Sequence, residues 1–201
     1  MRTSFVFALI GTLSSAIAAT YKIDASHSNV GFKVKHLAIS TVRGHFGAYE
    51  GTLEFDPAKP NELKAEAILE TKSINTNDAK RDQHLRADDF FAADKNPKIT
   101  FKSTKSELKK GKGKLYGDLT MKGVTKPVVL DVELLGTAQD PWGNTKVSFT
   151  GATRVNRKDF GINWSEKLDN GGLVVADEVD IVLDVEANLV QPKTEKKAEK
   201  K

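Results

Sequence analysis

The sequence predicts an all-β fold, a closed antiparallel eight-stranded barrel with a short helical lid, on three observations. Apolar and polar residues alternate with period two along most of the chain. Val179 to Val190 is the longest case: Val179, Ile181, Leu183, Val185, Ala187 and Leu189 fall on one face and Asp180, Asp184, Glu186 and Asn188 on the other, with Val182 the one apolar exception. At about 3.3 Å per residue such a ribbon runs roughly 40 Å, well beyond the usual ~5 to 6 residues, which suits strands that coil round a closed sheet. The rhythm gives way in one place, Thr76 to Phe101. There is no internal repeat, and helical periodicity recurs only weakly, over Arg157 to Leu168.

In chain order, Tyr21 to Asp24 is a first extended piece and Ser26-His27-Ser28 a turn or the beginning of a strand. Asn29 to His36 alternates clearly, with Val30, Phe32, Val34 and His36 opposite Asn29, Lys33 and Lys35. Thr41 to Gly47 reads as a glycine-containing connection into a strand with Tyr49, Gly51, Leu53 and Phe55 on one face, which stops at Asp56-Pro57. Leu63, Ala65, Ala67 and Leu69 set out the next. Beyond the break come Lys98 to Thr104, Lys114 to Met121, a turn at Lys122 to Thr125, and Pro127 to Leu135. The strong turn Asp140-Pro141-Trp142-Gly143-Asn144 follows, which Trp142 is expected to pack, and then Lys146 to Asn156 and the final strand. Closing these strands on themselves removes exposed edges.

Within the break, Asn77 or Asp78 can accept the first free backbone NH groups of a helix, and Leu85, Asp88 and Asp89 lead to the pair Phe90-Phe91. Asn96-Pro97 stops it, since proline disfavours helix in the residue before it. An eight-stranded barrel is either filled by its own side chains or holds one slender ligand. Ala65, Ala67, Ser103, Gly117 and Gly151 leave room inside; Phe32, Tyr49, Phe55, Phe101 and Phe149 are large enough to occupy it. The two lid phenylalanines favour a cavity, because a solid core has little use for a gate. The expected lining is Phe32, Val34, Tyr49, Phe55, Phe90, Phe91, Phe101, Leu119, Phe149 and Trp164.

The 201 residues divide into an expected signal peptide, 1–19, one domain over 20–192 and a disordered Lys-rich tail, 193–201. Arg2, the apolar run Phe5 to Leu13 and the small residues Ala16-Ile17-Ala18 carry the signal reading, and export follows from it. Without cysteine there is no disulfide, thiolate metal site or cysteine nucleophile. The basic excess lies in the ends: residues 20–192 hold 25 basic and 25 acidic side chains, a balance that argues against a nucleic-acid partner. Lys105, Lys109, Lys110, Lys112 and Lys114 form a local basic run, either a solvated hairpin loop or a transient contact with anionic lipid head groups.

His27, His36, His45 and His84 show no HxH, HxxxH or HExxH spacing, so no metal or cofactor site is expected. There is no GxSxG elbow and no phosphate loop, and the chain is expected not to be an enzyme. The alternatives are a hydrolase-like enzyme using His84 or His27 and a structural or stress barrel with a full interior.

The succession DASHSNVGFKVKH, VRGHFGAYEGTLEFDP, NTNDAKRDQHLRADDFFAADKNPKITFKS, GDLTMKGVTKPVVLDVELLG, RVNRKDFGINW and EVDIVLDVEANL resembles the YceI-like proteins over essentially the whole mature chain. The resemblance implies a lipocalin-like barrel with a long hydrophobic tunnel, exported to the periplasm, that binds an isoprenoid, quinone or fatty-acid-like amphiphile as carrier or reservoir. The family's Asp-x-x-His-Ser start falls on Asp24, His27 and Ser28, its Arg-Asp-x-His-Leu element on Arg81, Asp82, His84 and Leu85, and its Arg-x-x-Phe-Gly on Arg157, Phe160 and Gly161. His27, Arg81, Asp82, His84 and Arg157 are thus the expected polar residues of lid and mouth, there to hold a head group or to pin the lid. Monomer and homodimer both stay open.

Overall fold

The computed structural model describes residues 18–166 and 173–191, so the expected tail and all but the last two residues of the expected signal peptide lie outside it. The alternating segments form β1 (Ala19–Ile23), β2 (Asn29–His36), β3 (Ser40–Phe46), β4 (Tyr49–Phe55), β5 (Lys64–Glu70), β6 (Ile74–Asn75), β7 (Lys98–Lys109), β8 (Lys112–Met121), β9 (Val124–Gln139), β10 (Thr145–Asn156) and β11 (Val175–Leu189). One helix, α1 (Ala79–Arg86), stands in the break.

These strands fill eight positions of one closed antiparallel barrel, because the first three positions are each shared by two short strands. β11 lies beside β1 at Leu189↔Tyr21 and beside β2 at Val179↔Val34. β4 in turn pairs with β1 and β3 with β2; β5 then pairs with β4 and β6 with β3. The β1–β11 pairing closes the ring. The three breaks, at 24–28, 47–48 and the 3-10 turn Thr71–Ser73, sit side by side and are stitched together. Gly47 N–H donates to Ser73 O at 3.0 Å, Glu70 N–H to Ala48 O at 2.9 Å and the Tyr49 hydroxyl to Ser28 O at 2.6 Å.

Two expectations are corrected. Thr41 to Gly47 is not a connection; β3 occupies it, and Gly44 is there because a Cβ would lie 2.3 Å from Cζ of Phe32. Arg157 to Leu168 is not a helix: one 3-10 turn, Arg157–Phe160, ends at Gly161 in the left-handed region, and Leu168 lies outside the described residues. The β7–β8 and β8–β9 hairpins both turn on Lys-Gly pairs with positive φ at each residue, 51° and 81° for Lys110-Gly111, 50° and 75° for Lys122-Gly123. That is the two-residue geometry that matches strand twist.

The inward faces make two apolar clusters. At the foot, Tyr21, Leu53, Phe55, Leu63, Leu108, Val147, Phe149 and Ala187 meet, Leu63 following directly on the 3-10 turn Pro60–Glu62. At the other end, Phe46, Ile74, Phe90, Ile99, Leu119, Met121, Val155, Phe160 and Ile162 meet beneath α1.

Candidate functional site

The lid is built from its cap outward. Asp78 Oδ1 accepts the Lys80 and Arg81 backbone N–H groups at 3.0 and 3.1 Å, which starts α1. The buried Asp82 carboxylate accepts both the Thr76 N–H (2.9 Å) and the Thr76 hydroxyl (2.6 Å), and Arg81 donates to Thr76 Oγ1 and O at 2.7 and 2.8 Å. Arg86 donates to the carbonyls of Lys72 and Ile74, so the helix is tied to the strand end behind it. α1 stops at Arg86, and Phe90 and Phe91 sit on the turns that follow. The Lys122 ammonium spans the far side, donating to the carbonyls of Asp88 and Gly161 at 3.0 and 3.1 Å.

Beneath this segment the barrel encloses an apolar cavity of about 250 Å³ that reaches from the lid down to Phe149, Leu130 and Leu63. Of the expected lining, Phe32, Val34, Phe90, Phe91, Phe101, Leu119 and Phe149 face it; Tyr49, Phe55 and Trp164 do not. Phe55 is fully buried in the foot, edge-on to Phe149 at 5.2 Å. Tyr49 points its hydroxyl at the Ala25 and Ser28 carbonyls, and burial raises its pKa. Trp164 packs outside the opening, 5.2 Å from Phe90 and 5.3 Å from His84. Residues the sequence reading missed include Phe46, Ile99, Met121, Val155, Val179 and Ile181, all on inward positions of the same strands or of their neighbours. The small residues divide: Phe101 lies over Gly117, where a Cβ would be 2.5 Å from its ring, while Gly151 opens onto the cavity with only Leu183 and Leu130 near.

The expected polar residues are not gathered in one place. Arg157 is 4% exposed at the lid end of the cavity, and carbonyls and a carboxylate take up its guanidinium. It donates to Ala176 O (3.0 Å), Ile162 O (2.8 Å), Trp164 O (2.6 Å) and Asp177 Oδ1 (3.0 Å). Burial pulls its pKa below the ordinary arginine value, with Asp177 opposing. Such a group pins the loop rather than binding a head group. Arg81 and Asp82 likewise serve Thr76, and His84 Nε2 pairs with Asp89 at 2.7 Å while its ring packs on Phe90. His27 is away from the lid, on the barrel seam between β1 and β2, level with Lys146 near the foot end of β10.

There, Ser26 first and His27 second donate to Asp24 and hold its carboxyl far below the usual carboxylate range. One donor atom each from Asp24, His27 and Glu186 lies within 4.8 Å of the others, a spacing a metal would accept. The Lys146 ammonium, 2.7 Å from Glu186 and 3.3 Å from Asp24, already supplies the positive charge. Of the lysine run, Lys105 pairs with Glu107, Lys112 with Glu133 and Lys114 with Asp131, which leaves Lys109 and Lys110.

Residues 21–187 match the family described as YceI-like domain. The chain is 40% identical over 177 residues to a UPF0312 protein of Pseudomonas paraeruginosa, covering 87% of this chain and 90% of that one. Among solved structures it is similar to Burkholderia cenocepacia BcnA, with a TM-score of 0.71, 26% identity and coverage of 82% of this chain and 99% of the other. A polyisoprenoid binding domain from Saccharophagus degradans shares the fold at a TM-score of 0.62 and 15% identity, over 86% of this chain and 99% of that one.

Proposed function

Because this chain belongs to the YceI-like domain family, we propose that its barrel binds a long-chain apolar lipid, an isoprenoid, quinone or fatty-acid-like amphiphile, as a periplasmic carrier or reservoir. The observation that supports this best is the apolar cavity inside the barrel, under a lid that carries two phenylalanines. Each buried CH2 returns about 0.8 kcal/mol gross, so affinity comes from chain length and shape, with ordering and association costs taking back much of it. No precise polar recognition is needed. That the Saccharophagus degradans domain of the same fold is described as polyisoprenoid binding makes an isoprenoid the first ligand to test.

Binding fits the cavity better than catalysis does. Arg157 and Glu66 are the charged residues along it; the first is saturated by the backbone and the second pairs outward with Lys102. Neither His27 nor His84 lines it. Native mass spectrometry of gently purified protein should show a co-purified lipid. A bare apo mass, together with failure to take up any prenyl or acyl probe, removes the reading.

A further inference from the structure

At the foot, the β9–β10 hairpin runs past its neighbours, and residues 135–144 are exposed except for a half-buried Asp140. Its tip is rigidly built. Asp140 Oδ1 accepts the Trp142 and Asn144 N–H groups at 3.0 and 2.8 Å, its Oδ2 accepts the Asn144 amide at 2.8 Å, and Gly143 N–H donates to Asp140 O at 3.0 Å. Trp142 therefore does not pack the turn as the sequence suggested: the turn holds it out in solvent, 84% exposed.

Leu135, 60% exposed, stands on the same hairpin, next to the β7–β8 turn, whose Gly111 carbonyl accepts the Leu134 N–H at 2.7 Å. That turn carries Lys109 and Lys110, both exposed and outside the ion pairs found among the described residues. The chain leaves the described fold at the same end. Val190 N–H bonds Thr20 O at the base of the barrel.

We propose that the foot is a membrane-docking face, with Trp142 and Leu135 entering the head-group region of an anionic bilayer while Lys109 and Lys110 meet its phosphates. Cations alone would suit any polyanion; an indole and a leucine presented beside them fit a bilayer interface, where amphipathic rings settle and where stable attachment takes an apolar and a basic signal together. The hydrogen-bonded turn fixes the backbone that presents the indole, so docking orders little of the main chain. With the foot against the bilayer, the lid faces away from it. The proposal stands whether or not the cavity takes a lipid.

The chain has two tryptophans, so Trp164→Phe leaves Trp142 as the reporter. With vesicles of phosphatidylcholine containing phosphatidylglycerol, its emission should shift to the blue and be quenched by brominated acyl chains; neither should happen with phosphatidylcholine alone or at high salt. In co-sedimentation, Trp142→Ala should weaken binding roughly ten-fold, and Lys109→Gln with Lys110→Gln by a similar factor. Gly151→Leu, which fills the cavity, should leave vesicle binding unchanged. Equal binding to neutral vesicles, an unmoved Trp142 emission, or a Trp142→Ala protein that sediments like the parent overturns the proposal.

Discussion

The two ends of the barrel share apolar packing but differ in what is added to it. The foot is sealed by apolar contact: Phe55 and Ala187 have no exposure, Leu108 and Val147 have 1%, and Leu63 is buried with them. The lid end also buries apolar side chains, Ile74 and Phe160 among them, but adds charged side chains reaching backbone carbonyls, with Arg81, Arg86, Lys122 and Arg157 each donating to at least one. Dispersion and burial at the foot are lost only by creating a void. A hydrogen bond at the rim is worth about 1 kcal/mol net and exchanges with water. The comparison teaches that the foot relies on burial alone while the lid end adds bonds that exchange with water, which makes the rim the end where opening is expected.

Phe55→Ala should test the first half most severely. Truncating a fully buried ring should cost about 3 to 5 kcal/mol, read as a lower denaturant midpoint; a loss under about 1 kcal/mol would break the contrast. Arg157→Met follows at roughly 3 kcal/mol, since it leaves the Ile162, Trp164 and Ala176 carbonyls without their donor and Asp177 with Lys158 alone. Gly151→Leu fills the cavity from the wall and should cut affinity for a prenyl probe about a hundred-fold with the midpoint nearly unchanged. Asp82→Asn weakens the Thr76 tie by about 1 to 2 kcal/mol and should speed ligand release, with binding affinity little altered. Equal effects on both would mean that the rim is not a gate.

The smallest effect concerns the seam. Asp24 has a depressed pKa in the fold, so its contribution is fully present above the unfolded value near ~4 and is lost as pH falls through the folded value. Asp24→Asn should therefore lower the melting temperature by a few degrees at neutral pH. The gap from the parent protein should close in strong acid.

Strand positions were legible because alternation is a local signal: Val179 to Leu189 and Lys146 to Asn156 carry it in their own sequence. β3 was not, since Gly44 removes the apolar residue that would mark its inward face, and the reason for that glycine is a ring on the neighbouring strand. The bends shared by β1 with β2, β3 with β4 and β5 with β6 are likewise set by pairing between distant residues. For the site, alternation reveals which face a residue is on but not its height. Phe32 and Phe55 look alike in sequence, yet one borders the cavity and the other plugs the foot. Short polar motifs were more misleading, grouping His27 with His84 although they lie on different parts of the barrel.

The three adjacent breaks have a mechanical consequence. β7 to β11 each run from one apolar cluster to the other, while β2, β3 and β6 pair as one group that the breaks set off from β1, β4 and β5. Any outward swing of that group would have to unzip its seven residue pairs with β11, so the breaks set where the wall bends rather than freeing a door.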